Sequence, residues 1–282
     1  MQLPFDPEIH IGPIALAWHG IFTAVGIFLG VWLPIRLLRG RVPEDAAYAV
    51  ATWGVVGGIV GARLLHVADC WEPCGYAQEP LRILAIWSGG IAVWGAAIGG
   101  VLAGVAVALR RGDVPIGGAA DAAAPGIGLG FGVGRIGDII NGEHHAVACA
   151  GGPGICVEYT NPLTLGQGSS FVPPDWRASP EPVHLVVGYE MIWDLLGVAI
   201  ALVLRRPLAR RAPEGRIFWL WLAWYAVGRL LFGYLRIGEP TPLLGLRQDQ
   251  LVAVGALALA LPVLALLQAG VLGRLRVVRR VT

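Results

Sequence analysis

The sequence predicts an all-α integral membrane protein with about seven transmembrane helices, and three observations carry that expectation. Of 282 residues, 56% are hydrophobic and only 14% are charged, against about 25% charged in an ordinary soluble domain. Charge this scarce cannot cover a water-soluble globule, so lipid must solvate much of the chain. Apolar runs long enough to cross a bilayer, roughly 20 residues, recur between charge clusters. The basic residues, all arginine, concentrate in every second interval.

The expected spans lie near 14–35, 46–68, 83–109, 115–141, 183–204, 216–236 and 249–271. The fourth is Gly- and Ala-rich and the least hydrophobic. The acidic opening, Met1 to Glu8, lacks a basic n-region, so the first apolar segment is expected to be a retained span rather than a cleaved signal. Arg36, Arg39 and Arg41 follow the first span, and Arg110 and Arg111 the third. Arg205, Arg206, Arg210, Arg211 and Arg216 separate the fifth and sixth, and Arg274, Arg276, Arg279 and Arg280 close the chain. The opposite loops carry Arg82, Arg177 and Arg247. Positive charge marks the cytoplasmic side, which places the N-terminus outside and the C-terminus inside. The chain reads as one transmembrane domain, 1–282, with residues 143–182 forming a small external cap.

All four cysteines, Cys70, Cys74, Cys149 and Cys156, fall on the outer side. An even number there favours disulfides, within the pairs Cys70–Cys74 and Cys149–Cys156 or between the two loops. Metal binding is the rival, because His144 and His145 are close to Cys149; no zinc-type Cys spacing accompanies them. The absence of lysine excludes a retinal protein, which needs a lysine amine for its Schiff base.

Arg63, Arg135, Arg229 and Arg236 fall inside expected spans, where an arginine costs about 2.5–3.5 kcal/mol on insertion scales. Arg229 and Arg236 share a helix face with Tyr225. Arg135 and Asp138 are three apart, so they pair or bracket a ligand. Asn141-Gly142 reads as the stop of that helix, with Glu143, His144 and His145 at its outer mouth. Arginines near the outer leaflet, without a matching number of intramembrane acids, call for an anion; in a membrane that is a phospholipid phosphate. Glycines four apart (Gly54 and Gly58, Gly95 and Gly99, Gly126, Gly130 and Gly134) read as helix packing.

Gly134-Arg135-Ile136-Gly137-Asp138-Ile139-Ile140-Asn141-Gly142-Glu143 resembles the signature of the prolipoprotein diacylglyceryl transferases, G-R-x-G-N-x-x-N-x-E. Further segments are similar to that family in order and spacing: Trp18-His19-Gly20, Gly61 to His66, Trp87 to Gly90 with Trp94-Gly95, Val183-His184 with Tyr189-Glu190, and Tyr225 to Arg236. The resemblance covers nearly the whole chain. It implies transfer of diacylglycerol from phosphatidylglycerol to the lipobox cysteine of preprolipoproteins at the plasma membrane, with glycerol phosphate leaving. The expected partners are therefore phosphatidylglycerol, lipobox segments and membrane lipids, with no nucleic acid, metal or cofactor.

The resemblance implies that Arg135 and Arg229 bind the headgroup, and Asn141, Tyr225 and Arg63 are further candidates for binding substrate. Asp138, Glu143, His144, His145 and His19 are the candidates for acid–base work. A neutral histidine suits a thiol proton, whereas a carboxylate held by arginine is a poor base. The chain departs from the family at His19, Trp94, Asp138, Ala146 and Gly233, the last of which leaves Arg229 without the acid expected four residues on. A paralogue that binds anionic lipid without transferring it, and an anion transporter, are the alternatives.

Overall fold

A computed structural model describes residues 1–12, 14–72, 74–85, 90, 92–142, 146–149, 153–165, 181–211, 214–237, 241 and 243–270. The described residues are mostly helical and include seven long helices: α1 (Trp18–Leu38), α2 (Glu44–Asp69), α3 (Val93–Arg111), α4 (Ile116–Asn141), α5 (Val186–Arg211), α6 (Arg216–Gly233) and α7 (Gln248–Gln268). Five are long and apolar enough to cross a membrane, namely α1, α2, α3, α5 and α7. The less apolar α4 carries Asp121, Arg135 and Asp138, and α6 carries Arg216, Arg229 and three tryptophans.

The chain divides into two compact units, Ile35–Ala119 and the remainder. In the first, α2 and α3 pack through glycines. A Cβ at Gly61 would lie 2.3 Å from the Gly95 carbonyl oxygen, and one at Gly99 2.2 Å from that of Gly57. Only residues without side chains let two backbones approach so closely. The third helix begins at Val93, ten residues after the expected start; Pro80–Leu84 form a 3-10 turn instead. Arg63 fixes the loop that follows α2. Its guanidinium donates to the carbonyls of Ile83 (2.8 Å), Gly90 (2.8 Å) and Arg82 (2.5 Å) and lies 5.4 Å from the Tyr76 ring. A disulfide joins Cys70 to Cys74 in this loop, with Cα atoms 5.3 Å apart.

In the second unit, α1 and α4 meet at another glycine contact, with Gly26 against Gly130 and Gly30 against Gly126. Gly134 has nothing within 4 Å of a built Cβ, so it is not part of that seam. Within the expected cap, Cys156–Tyr159 form a strand that joins a small sheet with chain outside it, which the sequence reading did not anticipate. Strand β1 (Gln2–Leu3) pairs in parallel with β4 (Cys156–Tyr159), which pairs antiparallel with β5 (Val183–His184). Strands β2 (Glu8–Ile11) and β3 (Ile14–Ala17) form a hairpin leading into α1. Leu3, Val157, Tyr159, Val183 and Val186 bury a small apolar core, onto which Ile139 of α4 and Phe232 of α6 pack. Cys149 and Cys156 are bridged within the cap, with Cα atoms 5.6 Å apart. The cap therefore ties down the end of the unit where α4 and α6 finish and α5 begins.

Candidate functional site

Directly beneath that cap, helices α4 to α7 bring their charges together. The convergence depends on how α5 and α6 meet. Trp193 and Trp224 stack with ring centroids 4.0 Å apart and planes 11° from parallel. Each indole N–H donates to the other residue's carbonyl, at 2.9 and 3.0 Å. Gly197 and Gly228 leave room for these rings, since a Cβ at either would lie within 2.7 Å of indole carbon. This pairing sets the register that brings Glu190 on α5 level with Arg229 on α6.

Glu190, 3% exposed, is the hub. Its Oε1 lies 2.7 Å from Arg229 Nη1 and 2.8 Å from Arg236 Nη2. Its Oε2 lies 3.0 Å from Arg135 Nη2 and 2.6 Å from Arg236 Nη2. Three guanidiniums thus converge on one carboxylate. Two further acids complete the cluster: Asp138 Oδ2 is 3.1 Å from Arg135 Nη1, and Asp249 Oδ2 is 2.9 Å from Arg229 Nη2. Asp138 also reaches α1, where its Oδ1 is 2.8 Å from His19 Nδ1. Gly137 permits that approach, because a Cβ there would lie 2.6 Å from the His19 Cα.

These contacts correct the sequence reading in two respects. The intramembrane arginines do have acids: Glu190, Asp138 and Asp249 pair with Arg135, Arg229 and Arg236. Moreover, Arg229 does not lack a partner for want of an acid at Gly233. Asp249 of α7 supplies it, and the Gln250 side chain occupies the space beside Gly233, 2.7 Å from where a Cβ would stand.

Arg236 lies beyond the end of α6, yet it does not snorkel to the surface; it is 2% exposed and turned onto Glu190. Tyr225 lines the same cleft as Arg135, Glu190, Trp193, Asp194 and Arg229 and packs between Phe131 and Trp221. Asn141, buried at 1% exposure, ends α4. Arg63 belongs to the other unit, and there it donates to the carbonyls of Arg82, Ile83 and Gly90. Glu143, His144 and His145 lie outside the described residues. The bridged sulfurs of Cys70 and Cys74 next to His66, and of Cys149 and Cys156, are not thiolates available to a metal.

Several buried polar atoms of the cluster make no hydrogen bond among the described residues, and two of them line one cleft. Arg229 Nε is buried and reaches no hydrogen-bond acceptor among the described residues. Asp194, one turn along α5 from Glu190 and 3% exposed, has an Oδ2 with no donor among them. The cleft between these groups is too narrow for a water molecule. Sequence reading passes over Glu190 as a site residue and Asp194 altogether. The available signal is two acids at i and i+4 in the apolar stretch that precedes Arg205, which the insertion cost used for arginine also singles out.

Long apolar helices with a charged cluster buried among them beneath a small β cap define a multi-pass membrane protein. The chain belongs to the prolipoprotein diacylglyceryl transferase family, whose model matches residues 8–266. It is 39% identical over 264 residues to the phosphatidylglycerol–prolipoprotein diacylglyceryl transferase of Trichormus variabilis, covering 91% of this chain and 87% of that one. The protein of that name from Synechococcus elongatus is 34% identical, covering 90% and 84%. That from Staphylococcus aureus is 33% identical, covering 88% and 84%.

Proposed function

We propose that this chain transfers the diacylglyceryl group of phosphatidylglycerol to the lipobox cysteine thiol of preprolipoproteins, at the outer leaflet of the bacterial plasma membrane. The arginine distribution supports that side, with the cap and the cluster facing outward. The observation that carries the reading is the open, buried Nε of Arg229 beside Arg135 and Arg236 in a member of this family. A buried guanidinium N–H without an acceptor is a place for a phosphate oxygen.

On this reading Glu190 holds three like charges together until the lipid arrives, and the phosphate then takes over some of its donors. Headgroup entry requires the cluster to open, because the cleft admits no water as it stands. The thiol loses its proton and the sulfur attacks the glyceryl methylene. The carbon–oxygen bond to phosphate breaks, a thioether forms, and glycerol phosphate departs. Negative charge builds on the phosphate as that bond breaks, and Arg135 and Arg229 stabilise it where water cannot screen them. The pairing of Asp249 with Arg229 favours this reading over a lipid-binding paralogue, since it makes good the acid missing at Gly233.

The test is expression of this gene in cells depleted of their own transferase. Restored lipidation of lipoproteins supports the proposal. Unlipidated lipoproteins, despite normal membrane insertion and retained phosphatidylglycerol, would instead identify a lipid-binding paralogue.

A further inference from the structure

We propose that Asp194 is the proton acceptor for the incoming thiol, an inference that rests on the reading of the arginine cluster as the phosphate site. A thiol must become thiolate to attack, so the site needs a base not already committed to a cation. Glu190, Asp138 and Asp249 are each held by arginine. Asp194 forms no ion pair among the described residues, and its buried Oδ2 accepts no hydrogen bond from them. A buried, unsatisfied carboxylate oxygen in a packed interior calls for an explanation, and a proton brought by substrate supplies one.

Depth along the helix supports the assignment. Glu190 and Asp194 are four residues apart on α5, so Asp194 lies about 6 Å deeper on the same face. The groups facing it across the cleft are Arg135 of α4 and Tyr225 and Arg229 of α6, with Glu190 above it on its own helix. In a phospholipid the glyceryl carbon under attack sits on the acyl side of the phosphate, deeper in the membrane. The sulfur approaches that carbon from the side opposite the departing oxygen, which is deeper still when the phosphate rests on the arginines. A base serving the sulfur therefore belongs below them, where Asp194 is. His19, on the second residue of α1 and with its side chain 43% exposed, stands at the mouth, on the headgroup side.

The proton balance is complete. Asp194 takes the S–H proton as the sulfur–carbon bond forms and the carbon–oxygen bond breaks onto phosphate. It then returns the proton to the departing glycerol phosphate, which restores the carboxylate.

The experiment compares Asp194→Asn, Asp194→Glu and wild-type proteins in phosphatidylglycerol nanodiscs with a lipobox peptide, measuring bound lipid, kcat and KM across pH. Asp194→Asn is expected to keep its lipid and lose about 10²–10⁴-fold in kcat at neutral pH, the usual contribution of a positioned base. Its residual rate should climb as pH approaches the thiol's own pKa, about 8.5. Asp194→Glu should regain most of the rate with a displaced pH midpoint. A wild-type rate and profile in Asp194→Asn overturns the proposal, as does loss of bound lipid in proportion to rate. Should Asp194→Asn not fold, an Asp194→Glu protein with an unmoved midpoint overturns it equally. Separately, Arg135→Ala and Arg229→Ala proteins that still bind and transfer lipid would remove the phosphate reading while leaving the Asp194 result standing.

Discussion

Arg135 Nη2 on α4 lies 3.0 Å from Glu190 Oε2 on α5, and that carboxylate also receives Arg229 and Arg236. One acid thus pairs with three cations, two of which Asp138 and Asp249 also help to neutralise. Removing one partner from a buried ion pair costs about 3–5 kcal/mol, because the other charge is left uncompensated. Glu190→Gln is therefore expected to lower the melting temperature in detergent markedly and to abolish transfer. A variant with unchanged melting and lipidation would show that the arginines are held by something else.

The substitute partner of Arg229 gives a second prediction. Asp249→Asn should leave Arg229 less firmly placed and reduce transfer by about ten- to a hundredfold, a loss equivalent to roughly 1.4–2.8 kcal/mol. Gly233→Glu should not compensate, because the Gln250 side chain fills the space where a Cβ would stand; that change alone should destabilise the protein. Kinetics of the single and double variants decide the matter, and full activity in Asp249→Asn would contradict the assignment.

Much of this site is legible in the sequence through cost. An arginine in an apolar run is expensive, and that argument alone finds Arg135, Arg229 and Arg236. Applied to acids, it also finds Glu190 and Asp194, although Glu190 stands out at first only as part of a motif. Asp249 is another matter. It sits at the start of α7, where an acid is ordinary, and only the tertiary approach of α6 and α7 ties it to Arg229. The helices are legible for similar reasons, since α4 is expected at 115–141 and found at Ile116–Asn141. The departures occur where apolar residues are not in helices. Ile14–Ala17 form a strand, and Leu81 to Leu84 belong to a turn whose neighbouring carbonyls Arg63 holds. Hydropathy registers burial or lipid contact and is blind to backbone conformation, so both stretches count toward spans.

Asp138 occupies the position at which the family signature carries asparagine. Asp138→Asn keeps an acceptor for Arg135 and a partner for His19, and the Glu190 hub remains intact. Transfer should therefore stay within about tenfold of the wild type, as for loss of one hydrogen-bond increment of about 0.5–1.5 kcal/mol. A loss beyond a hundredfold would mean that the His19–Asp138 contact takes a direct part in proton transfer.

The account stands on Arg135 and Arg229 sharing one phosphate. The most direct measurement is phosphatidylglycerol bound per purified protein, alongside transfer to a lipobox peptide, for Arg135→Ala, Arg229→Ala and the wild type. Both variants are predicted to remain folded, to lose bound lipid and to lose transfer by about 10²-fold or more, as when a donor to developing negative charge is removed. Wild-type lipid content and wild-type transfer in either variant would contradict the account.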